Sequence, residues 1–461
     1  MKFAACISKP CLKLVLTALL CSFLQSSFVS AQDKPNVVLI LSDDQAWTDY
    51  SFMDHKTIQT PNLDRLAKQS VVFRRGYVPT ALCRPSLMTM ITGLYAHQHG
   101  VTGNDPSPKY AAQGTELNAK RRGDLISFID KFETLPEKLV EQGYVCHQSG
   151  KWWEGNFKRG GFTHGMTRGF PEKGGRHGDD GLKIGRKGLA PVTNFIDQAV
   201  ADKKPFFVWY APFLPHTPHN PPPRLFKKYD TGKLPKNVAR YYAMCEWFDE
   251  TVGDLHKHLE EAKIADNTLI VYVCDNGWIQ SPTTRRYAPR SKQTPYEGGV
   301  RTPIMFSWPG HLKPADRTEL CSSIDLMPTI LGAVGAKPPE NLPGLNLFPN
   351  LKSGEAIERD TIFGESFAHD IADIEKPEAS LLFRWCIKGK WKLLLTYDGE
   401  TNRHKSTHPR TEKRPQLFDL ETDVSEENNL AKNHPEVVAE LAKEIEDWYP
   451  LKERKALTKF E

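Results

Sequence analysis

Two stretches of the chain are apolar at nearly every position and then stop in acids. Asn36-Val37-Val38-Leu39-Ile40-Leu41 ends in Ser42-Asp43-Asp44, and Leu269-Ile270-Val271-Tyr272-Val273 ends in Cys274-Asp275-Asn276-Gly277. A run that is apolar throughout, without alternation, is buried on both faces, as in the central strands of a parallel sheet. In open α/β sheets ligands gather beyond the C-terminal ends of such strands. Carboxylates delivered there are costly to bury without positive charge between them. The pattern therefore predicts that Asp43, Asp44, Asp275 and Asn276 meet, and an all-oxygen set suits a hard divalent cation, Ca2+ or Mg2+, over zinc.

The same reading predicts strands over 71–73, 144–148, 205–210 and 305–308, and helices from Thr60-Pro61 onward and over 135–142, 191–203 and 239–262. Two segments lack a hydrophobic period: 103–122, read as a loop with basic spots, and 160–188, rich in Gly, Arg, Lys and His, read as a long surface excursion that lines a binding site. Helix and parallel-type strand alternate up to about residue 355, which predicts a layered α/β domain over 32–355 with helices on both faces of the sheet. Beyond it, Leu381 to Ile387 and Trp391 to Leu395 around Lys388-Gly389-Lys390 read as an antiparallel hairpin. Gln416 to Leu420 reads as a further strand and Pro435 to Trp448 as an amphipathic helix. A smaller C-terminal subdomain with an antiparallel sheet, 356–461, is expected.

Candidate chemistry centres on Ala81-Leu82-Cys83-Arg84-Pro85-Ser86 and the helical run to Thr92-Gly93. Pro85 suits a first helical position and Gly93 a stop, which puts Cys83 at a helix N-terminus, where free N–H groups favour an anion. After the strand ending at Tyr210, prolines stiffen Phe213-Leu214-Pro215-His216-Thr217-Pro218-His219, so its histidines are held in place.

The chain has 461 residues, 39% of them hydrophobic, enough for a large core and a second small domain. Residues 1–31 carry Lys2, Lys9, Lys13 and no acid, then the apolar run Leu14 to Leu24 and the cleavage-like Val29-Ser30-Ala31. This is the form of a removable export signal, so a periplasmic or secreted protein is expected. No later stretch is long and apolar enough to span a membrane. Losing the signal removes three positive charges from a formal net +5, and no basic field argues for nucleic acid. Of nine cysteines, Cys83, Cys146, Cys245, Cys274, Cys321 and Cys386 remain, too scattered for a disulfide framework and without zinc-type CxxC spacing.

In order along the chain, Ser42-Asp43-Asp44, Cys83 with Pro85-Ser86 and Thr92-Gly93, Gly150-Lys151-Trp152, Pro215-His216, Asp275-Asn276-Gly277 and Lys292 with Tyr296-Glu297-Gly298-Gly299 resemble the motifs of the type I, formylglycine-dependent sulfatases of the alkaline-phosphatase superfamily. The resemblance spans nearly all of the chain after the signal. It implies an alkaline-phosphatase-like fold and sulfate-ester hydrolysis, with sulfated carbohydrate as substrate. It also implies that a maturation enzyme oxidises Cys83 to formylglycine, and that Asp43, Asp44, Asp275 and Asn276 bind Ca2+, or less favourably Mg2+, together with an oxygen of the residue made from Cys83. Lys151 and Lys292 would hold the sulfate, and His216 would assist the leaving alcohol.

Two positions depart from the family pattern. Its arginine four residues after the cysteine is Leu87, with Arg84 beside Cys83 as the replacement expected in substrate binding. Its Lys-Trp-His is Lys151-Trp152-Trp153, leaving His147, His164, His177 and His219 as possible stand-ins. Trp152, Trp153, Arg176, Lys183 and Arg186 are candidate sugar contacts. The competing readings are a phosphodiester or phosphonate hydrolase on the same site and a catalytically silent binder of sulfated glycans.

Overall fold

The computed structural model describes Met1, residues 34–397 and residues 414–452; apart from Met1, the expected export signal lies outside the described residues. Among them no helix is long and apolar enough to cross a membrane. Eight strands build the main sheet: β1 (Asn36–Ser42), β2 (Val71–Phe73), β3 (Val145–Gly150), β4 (His164–Gly165), β5 (Phe206–Ala211), β6 (Thr268–Cys274), β7 (Ile304–Ser307) and β8 (Ala315–Arg317). Their order across the sheet is β8-β2-β7-β6-β1-β5-β3-β4. The expected central strands are central, and all seven residues of β1 and of β6 are buried. Val37, Leu39 and Leu41 point into one core, Val38 and Ile40 into the other, which is why the run has no polar alternation.

Helices cover both faces. Every residue of α1 (Cys83–Thr92) is buried, with Leu87, Met88, Met90 and Ile91 in the first core. On the opposite face, α2 (Lys236–Glu261) lays Met244, Phe248, Val252, Leu255 and Leu259 at helical spacing against the second core. The sheet is mixed rather than wholly parallel: β7 runs antiparallel to both β2 and β6. A four-residue strand carries no mark of its direction, which is set by its pairing with β2 and β6.

A separate antiparallel sheet follows, β9 (Thr361–Phe367), β10 (Leu381–Lys388), β11 (Trp391–Thr396) and β12 (Gln416–Asp419), in that order. Trp385, Ile387, Leu394 and Phe418 face the main core, while Cys386, Leu393, Leu395 and Leu417 face α3 (Pro435–Trp448). The Lys388-Gly389-Lys390 turn between two apolar runs made the hairpin visible in the sequence, and its amphipathic period made the helix visible. One expectation fails locally: the 103–122 segment is not all loop, because a helix spans Glu116–Ile126. Only Asn118, Leu125 and Ile126 of it are buried, so it shows no apolar stripe. Thr115 caps it by accepting the Asn118 N–H.

Candidate active site

The register between β1 and β6 pairs Ser42 with Cys274, the last residue of each strand. The acids that follow must therefore emerge side by side, locked by Asp275 N–H to Ser42 O at 3.0 Å and Asp44 N–H to Asp275 Oδ1 at 3.1 Å. Asp44 takes a left-handed backbone (φ 65°). On the other flank of β1, Asp43 N–H donates to Leu214 O at 2.9 Å, drawing in the His216 loop that continues β5. One strand further, Gly150 ends β3 with φ +85°; a Cβ there would lie 1.8 Å from Ala211 O, so only glycine allows the turn that aims Lys151 inward.

Five ionisable side chains meet in this buried space. Lys151 Nζ lies 2.6 Å from Asp43 Oδ1 and 3.4 Å from Asp275 Oδ2, and Lys292 Nζ lies 2.5 Å from Asp44 Oδ1. Asn276 Nδ2 donates to the same Asp44 oxygen at 2.7 Å. Cys83 is the first residue of α1, with Lys292 Nζ 3.1 Å from its Sγ. The helix thus begins two residues before Pro85, and the expected N-terminal position of the cysteine holds. One ligand atom each from Asp43, Asp44, Cys83 and His216 falls within 4.8 Å of the others.

The donor set fits a hard cation. Asp43 Oδ2, Asp44 Oδ2 and Asn276 Oδ1 are buried and accept no hydrogen bond, although His216 Nε2 stands 3.3 Å from Asp44 Oδ2. Burial raises the Asp43 carboxyl well above its ordinary value, with Lys151 opposing. Burial also pushes Asp44 upward, but Lys292 and His216 overcome it and hold that carboxyl below the ordinary range. Burial lifts the Cys83 thiol to about 12 despite both lysines, so at neutral pH it is a thiol and a poor nucleophile. His216 Nδ1 lies 2.7 Å from Thr217 O, which fixes the tautomer with its proton on Nδ1 and leaves Nε2 facing the acids.

The remaining expectations separate. Arg84 lies next to Cys83 in sequence, yet its guanidinium is taken up by Glu154 (2.8 and 2.6 Å) and by Asn104 O at 3.4 Å. The expected substrate contact is a buried brace, because a guanidinium held along its Nε/Nη2 edge by a carboxylate and at Nη1 by a carbonyl has little left to offer a ligand. Leu87 sits in the apolar core, so no charge replaces the family's arginine at that position. His147 packs on Phe195 at 4.9 Å, in the core opposite Cys83, and His164 on the same ring at 5.1 Å. His177 and His219 lie one ring away from the site: His177 meets Phe213, which stacks on His216, at 5.3 Å, and His219 meets Trp278, which lies beside Lys292, at 5.8 Å. Burial depresses His177 to about 3, with the Lys151 and Lys292 charges adding to it, while burial lowers His219 to about 4 against the pull of Asp44. The six cysteines among the described residues are free and buried. Sequence reasoning missed Glu154, Asn104 and Asp105, which sit in segments without periodicity; only the position of Glu154 directly after Lys151-Trp152-Trp153 pointed to it.

A profile of the family described as Sulfatase matches residues 35–336, and one described as N-sulphoglucosamine sulphohydrolase, C-terminal, matches 290–450. The chain belongs to the sulfatase family and is a sulfuric ester hydrolase. Human N-acetylgalactosamine-6-sulfatase is 27% identical over 71% of this chain and 68% of its own. N-acetylgalactosamine-6-O-sulfatase of Bacteroides thetaiotaomicron is 25% identical over 90% of this chain and 93% of its own. Among solved structures, Ps i-CgsB superposes with a TM-score of 0.70 at 26% identity, covering 90% of this chain and 93% of that one. A second structure of it, in complex with k-i-k-neocarrahexaose, gives 0.69 at 25% identity with the same coverage.

Proposed function

We propose that this protein is an exported sulfatase that hydrolyses sulfate esters of carbohydrate through a formylglycine made from Cys83. The observation that carries this reading is the meeting of Cys83 with Lys292 at 3.1 Å beside three buried oxygens that accept no hydrogen bond. Asp43 and Asp44, with Asp275 and Asn276 hydrogen-bonded beside them, would hold a divalent cation, Ca2+ in preference to Mg2+, whose charge favours an ionised nucleophile next to an anionic sulfate. Cys83, inert as a thiol at neutral pH, would be oxidised by a formylglycine-generating enzyme to an aldehyde whose hydrate supplies an oxygen nucleophile.

The chain's own residues do the rest. Lys151 and Lys292, both fully charged, exchange part of their carboxylate contacts for sulfate oxygens as the substrate enters. His216 passes a proton at Nε2. Burial favours its neutral form, and an arriving sulfate favours the charged form that donates to the ester oxygen as the S–O bond breaks. The overall reaction takes a sulfate ester and water to alcohol and hydrogen sulfate. Residues 1–31 would direct the chain to the periplasm or outside. The names of the relatives, which act on sulfated amino sugars, support a sulfated sugar as substrate.

The test is sulfate release from a panel of sulfated galactose, N-acetylgalactosamine and glucosamine, using protein made with its maturation machinery. Release by the wild type and its loss in Cys83→Ala are expected; no release from any sulfated sugar or aryl sulfate contradicts the proposal.

A further inference from the structure

Resting on the sulfatase reading above, the geometry points to Arg176 as the residue that recognises the sugar bearing the sulfate. A line of rings leads outward from the catalytic centre. His216 stacks on Phe213 (centroids 4.2 Å apart), Phe213 meets His177 at 5.3 Å, His177 meets Trp153 at 5.1 Å, and the Arg176 guanidinium lies 4.6 Å above the Trp153 ring. A second path reaches the same place from the nucleophile. Asn104 Oδ1 accepts the Arg84 N–H beside Cys83, and the next residue, Asp105, binds Arg176. Both paths end at one guanidinium.

Arg176 is built to be rigid and still present donors. Its Nε lies 3.1 Å from Asp105 Oδ1, its Nη2 pairs with Asp105 Oδ2, and one face rests on an indole, so rotamer freedom is already spent. Asp105 is in turn pinned by Arg122 at 2.8 Å. Arg176 Nη1 has no partner among the described residues, and the side chain keeps 40% of its exposure while Asp105 keeps 5%. Half-buried His177 and Phe213 supply apolar surface for the C–H face of a pyranose between Arg176 and His216.

The other basic and aromatic candidates are committed elsewhere. Trp152 packs edge-on against Phe162 and Trp209, and Trp153 is covered to 3% exposure. Lys183 pairs with Asp180 on the outside, and Arg186 is bound to Phe213 O, His216 O and Asn220 Oδ1. Arg176 is thus the cation whose N–H edge faces hydroxyl oxygens of a sulfated pyranose, with Asp105 as its positioning residue.

The experiment compares kcat/KM for 4-nitrophenyl sulfate with kcat/KM for the monosulfated galactose, N-acetylgalactosamine or glucosamine that the wild type turns over fastest. Arg176→Ala is expected to lower the sugar value by at least about tenfold more than the aryl value, mostly through KM, since an unmade charged hydrogen bond is worth that much. Arg176→Lys recovers only part of it, because the stacked fork is lost. Asp105→Asn, a second variant that keeps the arginine, shows the same selective loss in KM. Equal losses on both substrates, or no loss on the sugar, overturn the assignment. Wild-type protein that releases sulfate from neither substrate overturns the sulfatase reading instead.

Discussion

Cys83 and Arg84 are neighbours in sequence with opposite fates. Cys83 faces Lys292 across the charge cluster, and its replacement by alanine removes the nucleophile. Activity should fall by at least about 10^3-fold, with the melting temperature nearly unchanged. Arg84 turns the other way to neutralise Glu154, both side chains being at most 4% exposed. Arg84→Ala leaves a buried carboxylate unpaired and should cost about 3–5 kcal/mol in denaturant unfolding, with activity falling as the fold does. Arg84→Met combined with Glu154→Leu should restore most of that stability. An Arg84→Ala protein that unfolds like the wild type yet has lost turnover would show that the guanidinium serves the substrate. The acids, Cys83 and His216 were legible because they follow strands or start a helix with a strong pattern, whereas Lys151 and Lys292 were picked out by the resemblance to the sulfatase motifs. Glu154 as the partner of Arg84, 70 residues away, was not, because long-range pairing leaves no periodic trace.

At the level of elements, the loop carrying Lys292 is clamped by the C-terminal sheet. Tyr296 donates to Gln416 on β12 at 2.8 Å, Glu297 accepts from Lys392 on β11 at 2.9 Å, and the Glu297 N–H donates to Glu426 at 2.6 Å. Burial raises Glu426 from 4.5 to about 7, with Lys392 opposing and Glu297 adding to the rise. The folded protein therefore binds a proton here that the unfolded chain releases above about 4.5. This contribution to stability is complete below that pH and is lost as pH rises through about 7. Melting curves at about pH 5 and about pH 8 should show the Glu426→Gln variant losing less stability over the interval than the wild type. An identical change in both would mean the carboxyl is ionised throughout. The hairpin was readable from the Lys388-Gly389-Lys390 turn between two apolar runs and the last helix from its amphipathic period, whereas β9, the Glu116–Ile126 helix and the reversed direction of β7 were not. The first was overlooked in a polar stretch, the second is stabilised by its cap, and direction is set by tertiary pairing.

For the whole molecule, one β1–β6 register and two flanking strands assemble a site from residues spread between Asp43 and Lys292. A cation bound only by the folded state stabilises it by about 2.7 kcal/mol at about a hundredfold its Kd. Treatment with EDTA should therefore lower both the melting temperature and turnover, and added Ca2+ should restore them; an unchanged melting temperature would mean the acids hold no ion. The central claim, that Cys83 becomes the nucleophile although Leu87 stands where the family has arginine, is tested most directly by mass. Protein produced with its export and maturation machinery is digested with trypsin, and the peptide from Gly76 to Lys109 is weighed; Pro85 protects Arg84 from cleavage. A peptide whose cysteine has been converted to the lighter aldehyde, in proportion to specific activity, is the predicted result. An intact thiol in an active enzyme would contradict it.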